Sequence, residues 1–252
     1  MCVLYAFLRL SDDIADEPGR SVSDREVALL DWREQLRVTM GGGEILSGEP
    51  VDVFPALSDV VTSYGIPPEE LEAVLDGISM DLTPRIYATY EDLRVYCDRV
   101  AGAVGRCCLH VWGFHDPDAM ETADDCGMAL QMTNILRDLG EDAAMGRIYL
   151  PQEDLDHFGV AAQDLAAGHV DEPFRELMRF EISRARDHYE ASERLFEQID
   201  STGRPVLRAM LRVYGGLLGR IERADYDVFT RRVRLPAWRK ALIGVAAVFG
   251  NS

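Results

Sequence analysis

Over residues 174–199 a residue fit for burial returns every three or four positions, through Phe174, Met178, Ile182, Ala185, Tyr189, Ser192, Phe196 and Ile199. Seven of these eight are apolar or aromatic, which is one buried stripe of a helix. No segment alternates apolar and polar residues as a half-buried strand must, and no hairpin turn is signalled. A chain of this kind has to bury helix against helix.

The punctuation agrees. Ser23 with Glu26 reads as a capping box ahead of a helix over 27–40, and Gly41 to Gly43 ends it. Pro67 and Pro68 precede a helix over 69–82, and Thr89 caps a long one from 90 to about 112. Pro117 opens a helix running through Gln131 and Asp138, and Pro205 and Pro236 each open another. The looser stretches 41–50 and 146–168 read as connections. With 252 residues, 47% hydrophobic, and no repeat or low-complexity linker, the expectation is a single all-α domain over 1–252.

Charge narrows the partners. Asp and Glu number 44 against 26 Lys and Arg, a net charge of −18 without a basic tract, so nucleic acid is excluded as a partner. An anionic substrate would need metal ions or a local arginine cluster. The five cysteines, Cys2, Cys97, Cys107, Cys108 and Cys126, form no C-x-x-C pair. They read as packed thiols in a reducing, cytoplasmic setting. No signal peptide is visible, and the apolar run 241–249 is too short to cross a bilayer, which leaves peripheral membrane contact open. The histidines His110, His115, His157, His169 and His188 make no zinc motif, and neither a G-x-S-x-G nor a P-loop occurs. His110 reads as a core side chain, and Met128 and Met132 as core or pocket lining.

Two acidic patches remain. In the first, Asp12 and Asp16 are four apart with Arg9 a turn earlier. On a helix they share a face, about 6 Å apart along the axis. Pro18 and Gly19 stop that helix, so the carboxylates crowd its electronegative end. Like charges there are destabilising unless a cation joins them. In the second, Asn134, Asp138 and Asp142 repeat at four on an otherwise apolar helix, with Gln131 one turn before and Arg137 alongside. One D-x-x-x-D in so acidic a chain reads as a solvated face. Two, each among apolar neighbours and each with an arginine, read as facing walls that hold Mg²⁺ on oxygen ligands and clamp a diphosphate.

These residues carry a resemblance. Tyr5 through Asp16 resembles the first aspartate-rich motif of the squalene/phytoene synthase family, and Gln131 through Pro151 its second motif with the Arg147-Ile148-Tyr149-Leu150-Pro151 tail. Met80-Asp81-Leu82 and the run from Tyr96 to Gly105 are similar to that family's tyrosine- and glycine-bearing helix. Within the family, Tyr96 to Ala101 followed by Val104-Gly105-Arg106 looks like the bacterial presqualene diphosphate synthases. The family usually has an earlier helix, and a chain that begins at Met1 inside the first aspartate helix is expected to be without it.

The resemblance implies a helical bundle of the isoprenoid-synthase type around a central apolar cavity. It implies that Asp12 and Asp16 on one wall, and Asn134, Asp138 and Asp142 on the other, hold Mg²⁺. By the same likeness Arg9, Arg137 and Arg147 meet diphosphate oxygens, Gln131 adds polar contacts, and Tyr5, Tyr96 and Tyr149 line the pocket. Asp12, Asp16, Tyr96, Asp138 and Asp142 would carry the catalysis. The implied reaction joins two farnesyl diphosphates head to head into presqualene diphosphate, with NADPH needed only to go on to squalene. The alternatives are a phytoene synthase, which joins two geranylgeranyl diphosphates, and a catalytically silent member acting as an assembly protein. Gly102 and Gly105, each costing about 1 kcal/mol in a helix, mark a close backbone approach, either to a prenyl chain or to another helix.

Overall fold

A computed structural model describes residues 1–17, 19–43, 53–230 and 233. The helix expected from Pro236, the apolar run 241–249, Pro18 and most of 41–50 lie outside the described residues. Among the described residues the helices are α1 (Cys2–Asp16), α2 (Val22–Met40), α3 (Phe54–Tyr64), α4 (Pro68–Met80) and α5 (Tyr90–Cys97). A π-helical turn, Asp98–Gly102, joins α5 to α6 (Ala103–Trp112). There follow α7 (Ala119–Ala144), α8 (Gln152–Phe158), α9 (Ala162–Ala167), α10 (Glu172–Ser192), α11 (Leu195–Gln198) and α12 (Arg204–Arg223). The described extended pairing is a single bridge between Phe114 and Ile199.

Most boundaries follow local chemistry. Thr89 and Asp92 close a reciprocal capping box on α5, each side chain meeting the other's backbone N–H. Pro68 and Pro205 sit in the first turns of α4 and α12, where a missing N–H costs nothing. The cap of α2 differs from expectation. Ser21, not Ser23, accepts from the Asp24 N–H at 3.1 Å, and the helix opens at Val22. The Ser21–Asp24 spacing satisfies the same orphan donors two residues earlier. The stretch 146–168 is also more ordered than expected. It holds α8 and α9, each ended by a glycine in the left-handed conformation.

The stripe that opened the sequence reading packs as a stripe, but not on one helix. Phe174, Met178, Ile182, Ala185 and Ser192 are buried along α10. The helix breaks at Glu193, and α11 carries the stripe on toward the buried Ile199.

Helix α7 is the central element, with thirteen buried residues that include Cys126, Gly127, Met132, Leu136 and Leu139. Gly127 lets the π-turn settle on it. A Cβ there would stand 2.8 Å from the Ala101 carbonyl carbon and from the Gly102 nitrogen. Gly105 likewise faces a helix, since a Cβ there would touch the Ala123 carbonyl oxygen of α7 at 3.3 Å, while Val100 and Val104 of the same segment border a cavity.

Two large apolar cores result. One gathers α5, α7, α10 and α12 around Met132, Leu136, Leu177 and Ile221. The other gathers α1 to α4 and α6 around Phe7, Leu57, Leu71 and Leu75. The space between these cores is where the polar helix faces emerge.

Candidate active site

The rotation of α1 is set by its buried side. Phe7 packs against Trp32 and Phe54, with ring centroids 6.0 and 6.3 Å away. The fully buried Ser11 donates to the Phe7 carbonyl at 2.8 Å and accepts from the Trp32 indole N–H at 2.9 Å. Neither hydroxyl partner is left unsatisfied, so the helix has one stable orientation. Asp12, the next residue, is thereby turned to a cavity of about 460 Å³ whose walls include Leu8, Val74, Ile78, Tyr96 and Val100. Those walls come from both cores. Tyr5, Arg9 and Gln131 also border the cavity, with Tyr5 standing 70% exposed at its rim. Arg9 pairs with Asp13 at 2.7 Å, so Asp13 balances charge beside the two principal aspartates.

On α7, Met132, Ile135, Leu136 and Leu139 face the core. Gln131, Asn134, Arg137, Asp138 and Asp142 are half-buried on the other side. The Asn134 amide donates to Gln131 Oε1 at 3.4 Å. Arg137 grips its neighbour Asp138 through two contacts of 2.8 and 2.5 Å. In this state Arg137 faces a carboxylate rather than open space for an anion.

Between the two faces stands Asp81, at the C-terminal cap of α4. Tyr96 donates its hydroxyl to one carboxylate oxygen at 2.9 Å, and Tyr149 to the other at 2.8 Å. Tyr96 and Tyr149 stack at 5.1 Å between centroids, and Tyr87 packs on both at 5.5 and 6.0 Å. Burial holds the Asp81 carboxyl above its usual range, against the two tyrosine donors and Arg147, with Asp16 adding to the rise.

The electrostatics tie both acidic faces to this point. Asp12 keeps exposed surface at the rim, yet the protein around it and the neighbouring Asp16 push its carboxyl up to about 6, with Asp81 contributing. Asp142 is likewise pushed up to about 6 by burial first and Asp138 second, eased by Arg147 and raised again by Asp81. Asp12, Asp16 and Asp142 therefore all lie within electrostatic reach of one carboxylate. Sequence spacing brought the pairs together along each helix, and the fold brings the helices together.

Asp81 and Tyr87 are the site residues that sequence reasoning did not assign. Asp81 lay inside a matched motif, a lone acid closing an apolar helix. Tyr87 lies in a connection without periodicity, and no local signal marks it.

Among the described residues, no three His, Cys, Asp or Glu side chains converge closely enough to enclose a metal ion. The donors nonetheless suit a hard cation: they are all oxygens, they stand on two helices, and burial together with a neighbouring carboxylate raises the pKa of Asp12 and of Asp142. Mg²⁺ commonly takes one or two carboxylates and completes its shell with water and substrate phosphate.

An all-α fold whose cavity sets Asp12, Asp81 and Gln131 beside Leu8, Val74, Ile78 and Val100 has the architecture of the isoprenoid-synthase type. The structure superimposes on a squalene synthase, HpnC, from Alicyclobacillus acidocaldarius with a TM-score of 0.81 and 30% identity, covering 89% of this chain and 82% of that one. On a dehydrosqualene synthase the TM-score is 0.85 at 30% identity, covering 98% and 84%. The chain belongs to the squalene/phytoene synthase family, whose profile matches residues 1–239, and it is a prenyltransferase of that type. Among relatives, it is 38% identical to the 15-cis-phytoene synthase of Synechococcus elongatus over 94% of this chain and 79% of that one. It is 39% identical to the phytoene synthase of Arthrospira platensis over 95% and 80%. Among the described residues no helix is long and apolar enough to cross a membrane.

Proposed function

We propose that the chain joins two prenyl diphosphates head to head in a Mg²⁺-dependent reaction, and that the pair is two geranylgeranyl diphosphates, giving phytoene. The relatives named phytoene synthase favour this pair over the two farnesyl diphosphates expected from the motif around Tyr96. The farnesyl pair stays as a second reading because the structural neighbours are named squalene and dehydrosqualene synthase. The observation that carries the reaction class is the meeting of two oxygen-rich helix faces around Asp81, which borders the cavity walled by Leu8, Val74, Ile78 and Val100.

In this reading Asp12 and Asp16, facing Asn134, Asp138 and Asp142, hold magnesium, which when bound neutralises the leaving diphosphate. Arg9 and Arg147 reach diphosphate oxygens from the rim, where a guanidinium fork can meet two at once. Arg137 joins them when Asp138 turns to a cation. Gln131 orients the head of the substrate by its amide. The donor's allylic carbon–oxygen bond breaks with its electron pair leaving on diphosphate. The double bond of the second prenyl chain attacks the allylic carbon, and loss of a proton to the released diphosphate closes a cyclopropane that still carries the second diphosphate. Departure of that second diphosphate with its electron pair, opening and rearrangement of the ring, and loss of a second proton give phytoene with no reductant. Leu8, Val74, Ile78 and Val100 keep water from the cation, and the Tyr96 ring stabilises its charge.

The test is incubation with Mg²⁺ and either geranylgeranyl or farnesyl diphosphate, with and without NADPH, followed by mass analysis. A C40 hydrocarbon formed without NADPH supports the proposal. C30 products alone shift it to the farnesyl pair. No condensed product from either substrate defeats the enzyme reading and leaves the silent assembly protein.

A further inference from the structure

Resting on the prenyl-transfer reading, we propose that Asp81 is a positioning residue, holding Tyr96 and Tyr149 as a fixed aromatic wall that decides whether the allylic cation meets the second prenyl chain or water.

A carboxylate is a poor choice for this place on structural grounds alone. It sits at the C-terminal end of α4, the electronegative end of the helix dipole. It is partly buried, and other carboxylates lie near it on both sides. What it does there is geometric. An ionised carboxylate only accepts, and each of its oxygens takes one tyrosine proton, at 2.9 and 2.8 Å. Both hydroxyl protons are thus directed at Asp81. The two rings are locked nearly parallel, 26° apart, with Tyr87 behind them. Asp81 and Tyr96 both border the cavity that Asp12 faces.

Two consequences follow for a cation formed there. Hydrogen bonding to an anion makes a phenol ring more electron-rich, which strengthens its attraction for positive charge. A locked wall also keeps its rings from swinging aside to admit water to the cation. Once the allylic carbon–oxygen bond has broken, two fates compete. Attack by the second chain's double bond gives the condensed product. Addition of water, with loss of one proton, gives a prenyl alcohol. Asp81 acts on that competition through the tyrosines and touches neither reactant in this role.

The test compares wild type with Asp81→Asn, supplied with the prenyl diphosphate that wild type condenses and with Mg²⁺. Asparagine keeps the size but offers one acceptor oxygen and one donor amide, so one tyrosine loses its anchor. The expected result is a fall in kcat of about 10- to 100-fold with KM changed by less than about threefold. The ratio of prenyl alcohol to condensed product should rise at least about fivefold. The Tyr96→Phe, Tyr149→Phe double variant keeps both rings and removes both hydroxyls. It should raise the ratio similarly, and adding Asp81→Asn to it should raise the ratio little further. Should Asp81→Asn not fold, the double variant alone decides. An unchanged product ratio in a folded variant overturns the proposal while the parent reaction stands. Absence of condensed product from wild type overturns both.

Discussion

Asp138 shows how one side chain can serve two states of a site. Here it is held by Arg137, and the pair shields both charges. In the proposed reaction it turns to a cation and frees Arg137 for diphosphate. Asp138→Ala should therefore lower the rate of diphosphate release by at least about 100-fold, with the helical circular dichroism unchanged. A rate near wild type would reject its part in metal binding. Glu181 offers a pH test remote from the site. It is fully buried on α10, and burial pushes its carboxyl up to about 8 against the pull of Arg184, with Asp154 adding to the rise. An unfolded glutamate ionises near the ordinary 4.5. Between those two values the folded chain holds a proton that the unfolded chain has released, so stability is fullest below the interval and falls as pH rises through it. Urea midpoints measured from pH 4.5 to 8.5 should decline more steeply for wild type than for Glu181→Gln. Parallel declines would show that Glu181 does not carry the effect.

At the scale of elements, the π-turn between α5 and α6 controls how closely α7 can approach. Gly127→Ala would drive a methyl group into backbone atoms of Ala101 and Gly102, which cannot swing aside as a side chain tip can. The expected cost is about 1–3 kcal/mol of unfolding free energy by denaturant titration. A smaller change would mean that the turn slides. At the start of α5, Thr89→Ala removes a cap whose partner N–H belongs to Asp92 and should cost about 1 kcal/mol. These two sites differ in legibility. Thr89 announces itself by a local rule, threonine ahead of an acidic first turn. Gly127 has no local signature, because what it makes room for lies about 25 residues away in the chain. The same contrast separates Ser21 from Ser23. Both serines precede an acid three positions on, and the capping pattern cannot choose between them.

For the whole molecule, a net charge of −18 means that compaction works against self-repulsion. Raising NaCl from about 20 to about 200 mM should lift the melting temperature, because the screening length falls below the distances between surface charges. A melting temperature that falls instead would show that attractive pairs outweigh the excess. Chelation by EDTA should abolish product formation, and excess Mg²⁺ should restore it. The helical class, the two rows of oxygen donors and the pairing of residues within each row could be read directly from the chain. They depend on a 3.6-residue period, and that period relates near neighbours only. The Asp81 junction could not, because its partners Tyr96 and Tyr149 are 15 and 68 positions away. Their meeting depends on how two apolar cores close against each other, and a sequence period carries no record of that closure.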